Sequence, residues 1–212
     1  MKKVPDEKVL SNQKKIEGFL SPKSRMGLKI ESVIGALEPN FNLLLLVNQD
    51  NYSLLILPLL RAFSKQKDRG IIFVAVNKPF EKIKAELLKG DFPLQNIRFI
   101  DMVSSMVGAK KVEDKCVFYL PATSSLNDLI EAIQHELEEK KQKNVVLVFD
   151  SVSTLLVYND ALPVEKMVHS LIGKLGKFSV DGVFVMAKSK EFAGPVQTIS
   201  QFCDKVVEIE KL

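Results

Sequence analysis

The residues best placed to do chemistry stand at the end of one apolar run. Residues 144–150, NVVLVFD, carry an aspartate at the tip of a hydrophobic strand pattern, and Ser151 and Ser153 follow directly. A carboxylate in that position can hold Mg²⁺ or its waters, as it does in phosphoryl-transfer enzymes. It can equally cap the next helix, and the spacing leaves both readings open. Asp101 ends a second strand pattern, where capping a helix or loop is the simpler role. The two serines lack the GxSxG elbow that presents a nucleophilic serine. His135 and His169 each fall in a helical pattern without a Ser, Cys or Asp partner in sequence, and read as surface or partly packed residues.

Composition narrows the choice further. Cys116 and Cys203 are the two cysteines of a 212-residue chain, too few for a disulfide framework. Both lie in apolar runs and read as reduced core residues of a cytoplasmic protein. Two histidines without a cysteine cluster argue against structural zinc, and Asp150 is the sole metal-ligand candidate. The net charge is +4, but the lysines are spread along the chain and no block mixes basic with aromatic residues. A solvated lysine-rich surface explains this better than a DNA-binding face. The amino terminus is lysine-rich without an apolar segment, so no secretory signal is expected. The most apolar stretch, residues 41–63, is interrupted by polar residues from Asn48 to Ser53. A membrane span needs about 20 largely apolar residues in a row, so two buried elements joined by a polar turn are expected, and no membrane association.

These residues need elements to position them, and the chain supplies an alternation. Short apolar runs at residues 42–47, 71–76, 97–100, 117–120, 144–150, 183–186 and 205–209 read as buried strands. Helical patterns are expected over 53–66, with Pro58 kinking it or marking its first turn, and over 80–89, 125–140 and 163–178. A shorter helical spacing runs from Ile30 to Leu37, after a joint at residues 22–27. Ser125 and Asp128 stand at capping-box spacing. Strands alternating with amphipathic helices predict a three-layer α/β domain: a mostly parallel sheet with helices on both faces. Residues 1–26 read as an arm or helix, and 27–212 as the core domain. Ligands of such sheets bind beyond the carboxyl ends of the strands, where Asp150 stands.

VVLVFDSVSTLLVYND resembles the Walker B strand and following segment of the archaeal RecA/KaiC-like ATPases. GLKIESVIGALEPNFNLLLLV is similar to the family's entry into its first core strand, and GIIFVAVNKPFEKIKAELLKG to its second strand and helix. IRFID, ATSSLNDLIEAIQHEL and FCDKVVEIEK continue the resemblance in order, which spans residues 27–211. It implies a RecA-like P-loop NTPase fold, with Asp150 and Ser151 in the Walker B place.

The departures from the family matter as much. Its Walker A loop, GxxxxGK[ST], uses glycines to let backbone N–H groups converge on phosphate, with Lys and Ser/Thr completing the cradle. The matching stretch here is Asn48, Gln49, Asp50, Asn51, Tyr52 and Ser53, and no glycine lies between Gly35 and Gly70. Aligning Ser53 with the family's Ser/Thr puts Tyr52 in place of the lysine, in a loop about two residues short. Asp50 adds negative charge where phosphate would sit. The family's acidic pair after the second strand is replaced by Asn77 and Lys78, neither of which is a carboxylate base at neutral pH. Gly173-Lys174 and Gly176-Lys177 fall inside a helical pattern, the wrong setting for a phosphate loop.

The expectation is a pseudo-ATPase: no catalytic residue, no ATP or Mg²⁺ cofactor, and no enzyme activity. Its role would be that of a regulatory or interaction module for a protein partner or for its own copies, since RecA-type domains assemble side by side. One alternative is a non-hydrolysing binder of a nucleotide or other small ligand, using Asp150, Ser151 and Ser53. A DNA-associated recombinase paralogue ranks below it.

Overall fold

The computed structural model describes residues 21–139 and 144–209. The arm expected over residues 1–20, and the last residue of the helix expected over 125–140, lie outside the described residues.

Seven apolar runs form seven strands: β1 (Asn42–Val47), β2 (Arg69–Ala75), β3 (Ile97–Asp101), β4 (Val117–Tyr119), β5 (Asn144–Asp150), β6 (Asp181–Ala187) and β7 (Lys205–Ile209). They pair in one parallel sheet of order β4-β3-β2-β5-β6-β1-β7. The inner strands are buried almost end to end, which is why they read as unbroken apolar runs.

Alternate residues of each strand serve opposite faces. Leu43, Leu45, Phe73 and Phe99 meet α1 (Pro22–Ile34), α2 (Gln49–Ser64) and α3 (Phe80–Lys89) on one side. A short helix, α4 (Val103–Met106), follows β3. Leu44, Ile72, Leu147 and Phe184 meet α5 (Leu126–Glu138), α6 (Val152–Tyr158), α7 (Ala161–Phe178) and α8 (Ala193–Ser200) on the other side. The result is the expected three-layer α/β fold. Among the described residues no helix is long and apolar enough to cross a membrane.

Three differences from the sequence reading bear on the site. First, α2 begins at Gln49, so the polar stretch expected to be a turn is mostly the helix's first turn; Pro58 sits well inside the helix, not in its first turn. Second, residues 22–27 are not a joint. Ser21 caps α1 through the Ser24 amide at 3.2 Å and Pro22 opens the helix, while Met26 is buried in the core. The division expected between residues 26 and 27 therefore falls inside a continuous helix. Third, α4, α6 and α8 are absent from the sequence reading, because at 4, 7 and 8 residues each is shorter than the window of roughly 11 over which an apolar stripe can be read.

Candidate functional site at the carboxyl edge of the sheet

β5 carries Asp150 to the carboxyl edge, and the Val76 amide fixes that strand end by donating to the Asp150 carbonyl at 2.8 Å. The side chain is 1% exposed, and burial pushes its carboxyl up to about 7. Its partner comes from α2: the Tyr52 hydroxyl donates to Asp150 Oδ1. The Tyr52 ring is half-buried against the α1–α3 side of the core. β6 lies between β1 and β5, so only a long side chain at the start of α2 can close that gap.

The junction that feeds α2 is short. β1 ends at Val47 and α2 starts at Gln49, leaving Asn48 alone between them with extended backbone and no side-chain cap. In the first turn Asp50 and Ser53 face solvent, while Asn51 is buried. Asp50 and Ser53 therefore do not share the buried setting of Asn51.

The serines after Asp150 have structural partners. Ser151 caps α6, accepting from the Thr154 amide at 3.3 Å and sharing a hydrogen bond with the Thr154 hydroxyl at 3.0 Å. The Ser153 hydroxyl oxygen accepts from the Ala187 amide at 2.7 Å, tying α6 to the end of β6. The Asp150–Ser151 peptide bond is cis.

At the end of β3, Asp101 is fully buried and accepts from the amides of Phe80, Val103 and Ser104 and from the Ser104 hydroxyl, at 2.6–2.8 Å. It holds the starts of α3 and α4, the capping role its position suggested. Asn77 is exposed, and Lys78 pairs with Glu86 at 3.0 Å.

The remaining candidates lie apart. His135 is exposed and 3.6 Å from Glu139, and His169 lies against the Phe202 ring at 4.5 Å. Gly173 and Gly176 are inside α7, where Lys174 bonds Gln134 at 2.6 Å. Both cysteines are free and half-buried, their thiols pushed up by burial to about 11 for Cys116 and about 12 for Cys203. Among the described residues no group of three or more His, Cys, Asp or Glu side chains could hold a metal ion.

Beside α6, the helix that follows Asp150, a cavity of about 200 Å³ has Val76, Met102, Met106, Leu126, Leu155 and Tyr158 in its lining. A wider groove of about 580 Å³ runs between β4 and α5, with Phe118, Leu120 and Pro121 as floor and Asp128 and Glu131 among its polar residues. What the sequence did not reveal is the bond from Tyr52 to Asp150. It spans nearly half the chain, and its one trace was a tyrosine standing at the lysine's aligned position.

Among the solved structures that share the fold are three from the hyperthermophilic archaeon Pyrococcus horikoshii. A KaiC-like protein superposes with a TM-score of 0.59 at 9% identity, covering 83% of this chain and 74% of its own. A second protein of that organism gives 0.59 at 13% identity, covering 86% and 88%. An uncharacterized protein solved in complex with an unknown peptide gives 0.65 at 12% identity, covering 86% and 82%. These likenesses establish a RecA/KaiC-like fold. No curated protein matches the chain in sequence. Residues 58–209, from inside α2 to the end of β7, match the model of a family of unknown function, and on that match the chain belongs to the family DUF7504.

Proposed function

We propose that this chain is a non-catalytic RecA/KaiC-like module that works by binding other proteins. The observation that carries the reading is the one-residue junction between β1 and α2. A triphosphate cradle needs several successive backbone N–H groups turned toward one point, which glycines permit. Asn48 alone cannot provide that loop.

The chemistry around the junction points the same way. Tyr52, in the lysine's aligned place, brings no positive charge and bonds Asp150 instead. A carboxyl that is 1% exposed and raised to about 7 is poorly suited to holding Mg²⁺, which requires an ionised, accessible oxygen. Lys78 supplies no base after β2.

Two observations favour a protein partner. Met106 and Tyr158, which line the small cavity, are exposed, as are Val107 and Val157 next to them in sequence. Clustered exposed apolar side chains mark contact surfaces. In addition, the uncharacterized P. horikoshii protein of the same fold was solved with a peptide. A nucleotide is less well supported as the ligand beside α6, because the cavity there, about 200 Å³, is below the roughly 300–1,000 Å³ usual for small-molecule sites.

Phosphate release from ATP with Mg²⁺, read beside a thermal-shift titration with nucleotides, tests the proposal. No turnover is expected in the wild type, no difference in Asp150→Ala, and no rise in melting temperature at millimolar nucleotide. Turnover that disappears in Asp150→Ala would overturn it.

A further inference from the structure

We propose that the groove between β4 and α5 is a docking site for an amphipathic helix of a protein partner, one that flanks its apolar stripe with lysine or arginine. The inference rests on the reading above in taking the ligand to be a protein, and adds where it docks and what chemistry it carries.

The groove lies where β4 ends the sheet, paired with β3 alone. Val117 and Tyr119 turn to the α1–α3 side of the core, and Leu120 is buried on the α5 side. Phe118 shares the side of Leu120, yet is 47% exposed. With Leu120 and Pro121 it floors the groove of about 580 Å³.

The wall is a second face of α5. Leu129, Ile133 and Leu137 form its core stripe. Asp128, Glu131, Ala132, His135 and Glu136 recur at helical spacing on the side that lines the groove. Ala132, the smallest of them, leaves room for another helix to approach.

Charge selects the occupant. The chain carries a net charge of +4, yet α5 holds Asp128, Glu131, Glu136 and Glu138 and no lysine or arginine. Arg98 pairs with Glu136 at 3.1 Å, and His135 lies 3.6 Å from Glu139. Asp128 and Glu131 are exposed and have no ion pair among the described residues, Asp128 accepting only from the Ser125 amide and hydroxyl. An apolar floor beneath an acidic wall complements an apolar stripe edged with cations. The same wall repels the phosphates of a nucleotide or nucleic acid. A strand fits less well, because β4 is three residues long and offers little backbone to pair with.

The probe is a fluorescent model helix of leucine and lysine at helical spacing, about 18 residues long so that it can hold a helix. Its controls are the same residues in strict alternation, which favours a strand, and a leucine–glutamate helix. Fluorescence anisotropy should show the leucine–lysine helix binding wild type roughly tenfold more tightly than either control. Phe118→Ala and Glu131→Lys should each weaken it by about tenfold. Leu88→Ala, which removes an exposed apolar side chain from α3, should bind like wild type.

The site is overturned if no probe binds, if the glutamate helix binds equally, or if Phe118→Ala and Glu131→Lys keep wild-type affinity. An equal loss in Leu88→Ala would make the binding non-specific and overturn it as well. Tighter binding of the alternating peptide overturns the helix as occupant. A loss in Tyr158→Ala without one in Phe118→Ala puts the probe on the apolar patch beside α6, which removes the groove but keeps protein binding. If sedimentation shows wild type self-associating and Phe118→Ala monomeric, a second copy fills the groove and the partner helix is overturned. ATP turnover in the assay above would overturn the non-catalytic function and leave the groove to be judged by these probes.

Discussion

At the amino end of the sheet, Asp181 opens β6 among strong donors. The Arg69 guanidinium pairs with one oxygen while also bonding Asn144, and the Asn40 and Phe41 amides donate to the other oxygen at 2.5 and 3.2 Å. The guanidinium also lies 5.4 Å from the Phe63 ring centroid. At the carboxyl end, Asp150 closes β5 equally deep in the protein, yet receives the neutral Tyr52 hydroxyl.

Depth is thus shared, and compensation is not. A buried carboxylate is kept charged by a cation and by amides; without them, burial raises its affinity for a proton. Nor is the carboxyl edge poor in donors generally, because Asp101 collects four there. Asp150 differs from both in lacking a charge partner or an amide nest, and a metal-binding role would need it ionised.

The comparison can be broken most severely at the amino end. Asp181→Ala leaves the Arg69 guanidinium buried without its counter-ion, and should cost about 3–5 kcal/mol, read as a lower denaturant midpoint with unchanged slope. A variant as stable as wild type would show that the pair does not hold this end together.

The carboxyl end should respond with the opposite sign. Asp150 is raised in the folded protein from 3.8 to about 7, so the folded state holds this proton more tightly than the unfolded chain. Its contribution to stability is fully present below pH 4, declines as pH rises from about 4 to 7, and is flat above. Asp150→Asn stays neutral throughout. It should match wild type near pH 4 and exceed it by on the order of 2–4 kcal/mol at pH 8, as melting curves across that range would show. A pH-independent difference would refute the burial argument.

The smallest expected effect sharpens the same contrast. Ser153→Ala leaves the Ala187 amide without its acceptor and should cost about 1 kcal/mol at every pH, since no ionisation is involved. Chemical denaturation at pH 5 and pH 8 checks this.

Much of the frame was legible because burial on both faces writes itself as unbroken apolar runs. β1, β5 and β7 coincide with the expected runs, and the others differ by a residue or two. The shortfalls have a common physical cause at the amino end. Arg69 and Asp181 open β2 and β6, and charged residues there argue against strand until their mutual pairing is seen. Similarly, Asn48 to Ser53 looked like a turn because they are polar, yet a helix's first turn at a sheet edge is where polar residues belong. Of the site, Asp150 was legible from its place at a strand tip. Its bond to Tyr52 was not, because no local pattern encodes a contact made across β6. The capping of Asp101 needed only short-range donors, and could be read.

The strand order has a consequence for how the protein comes into being. β1, NLLLLV, is the first of the seven described strands to be synthesised, but its neighbours on the two sides are β6 and β7, the last of the seven. Until they arrive, an uncharged and strongly apolar segment has no native partner on either edge. Such segments seed intermolecular pairing, and sheets built from distant pieces assemble slowly. During synthesis, β1 is therefore the stretch of this chain most in need of protection from other copies of itself.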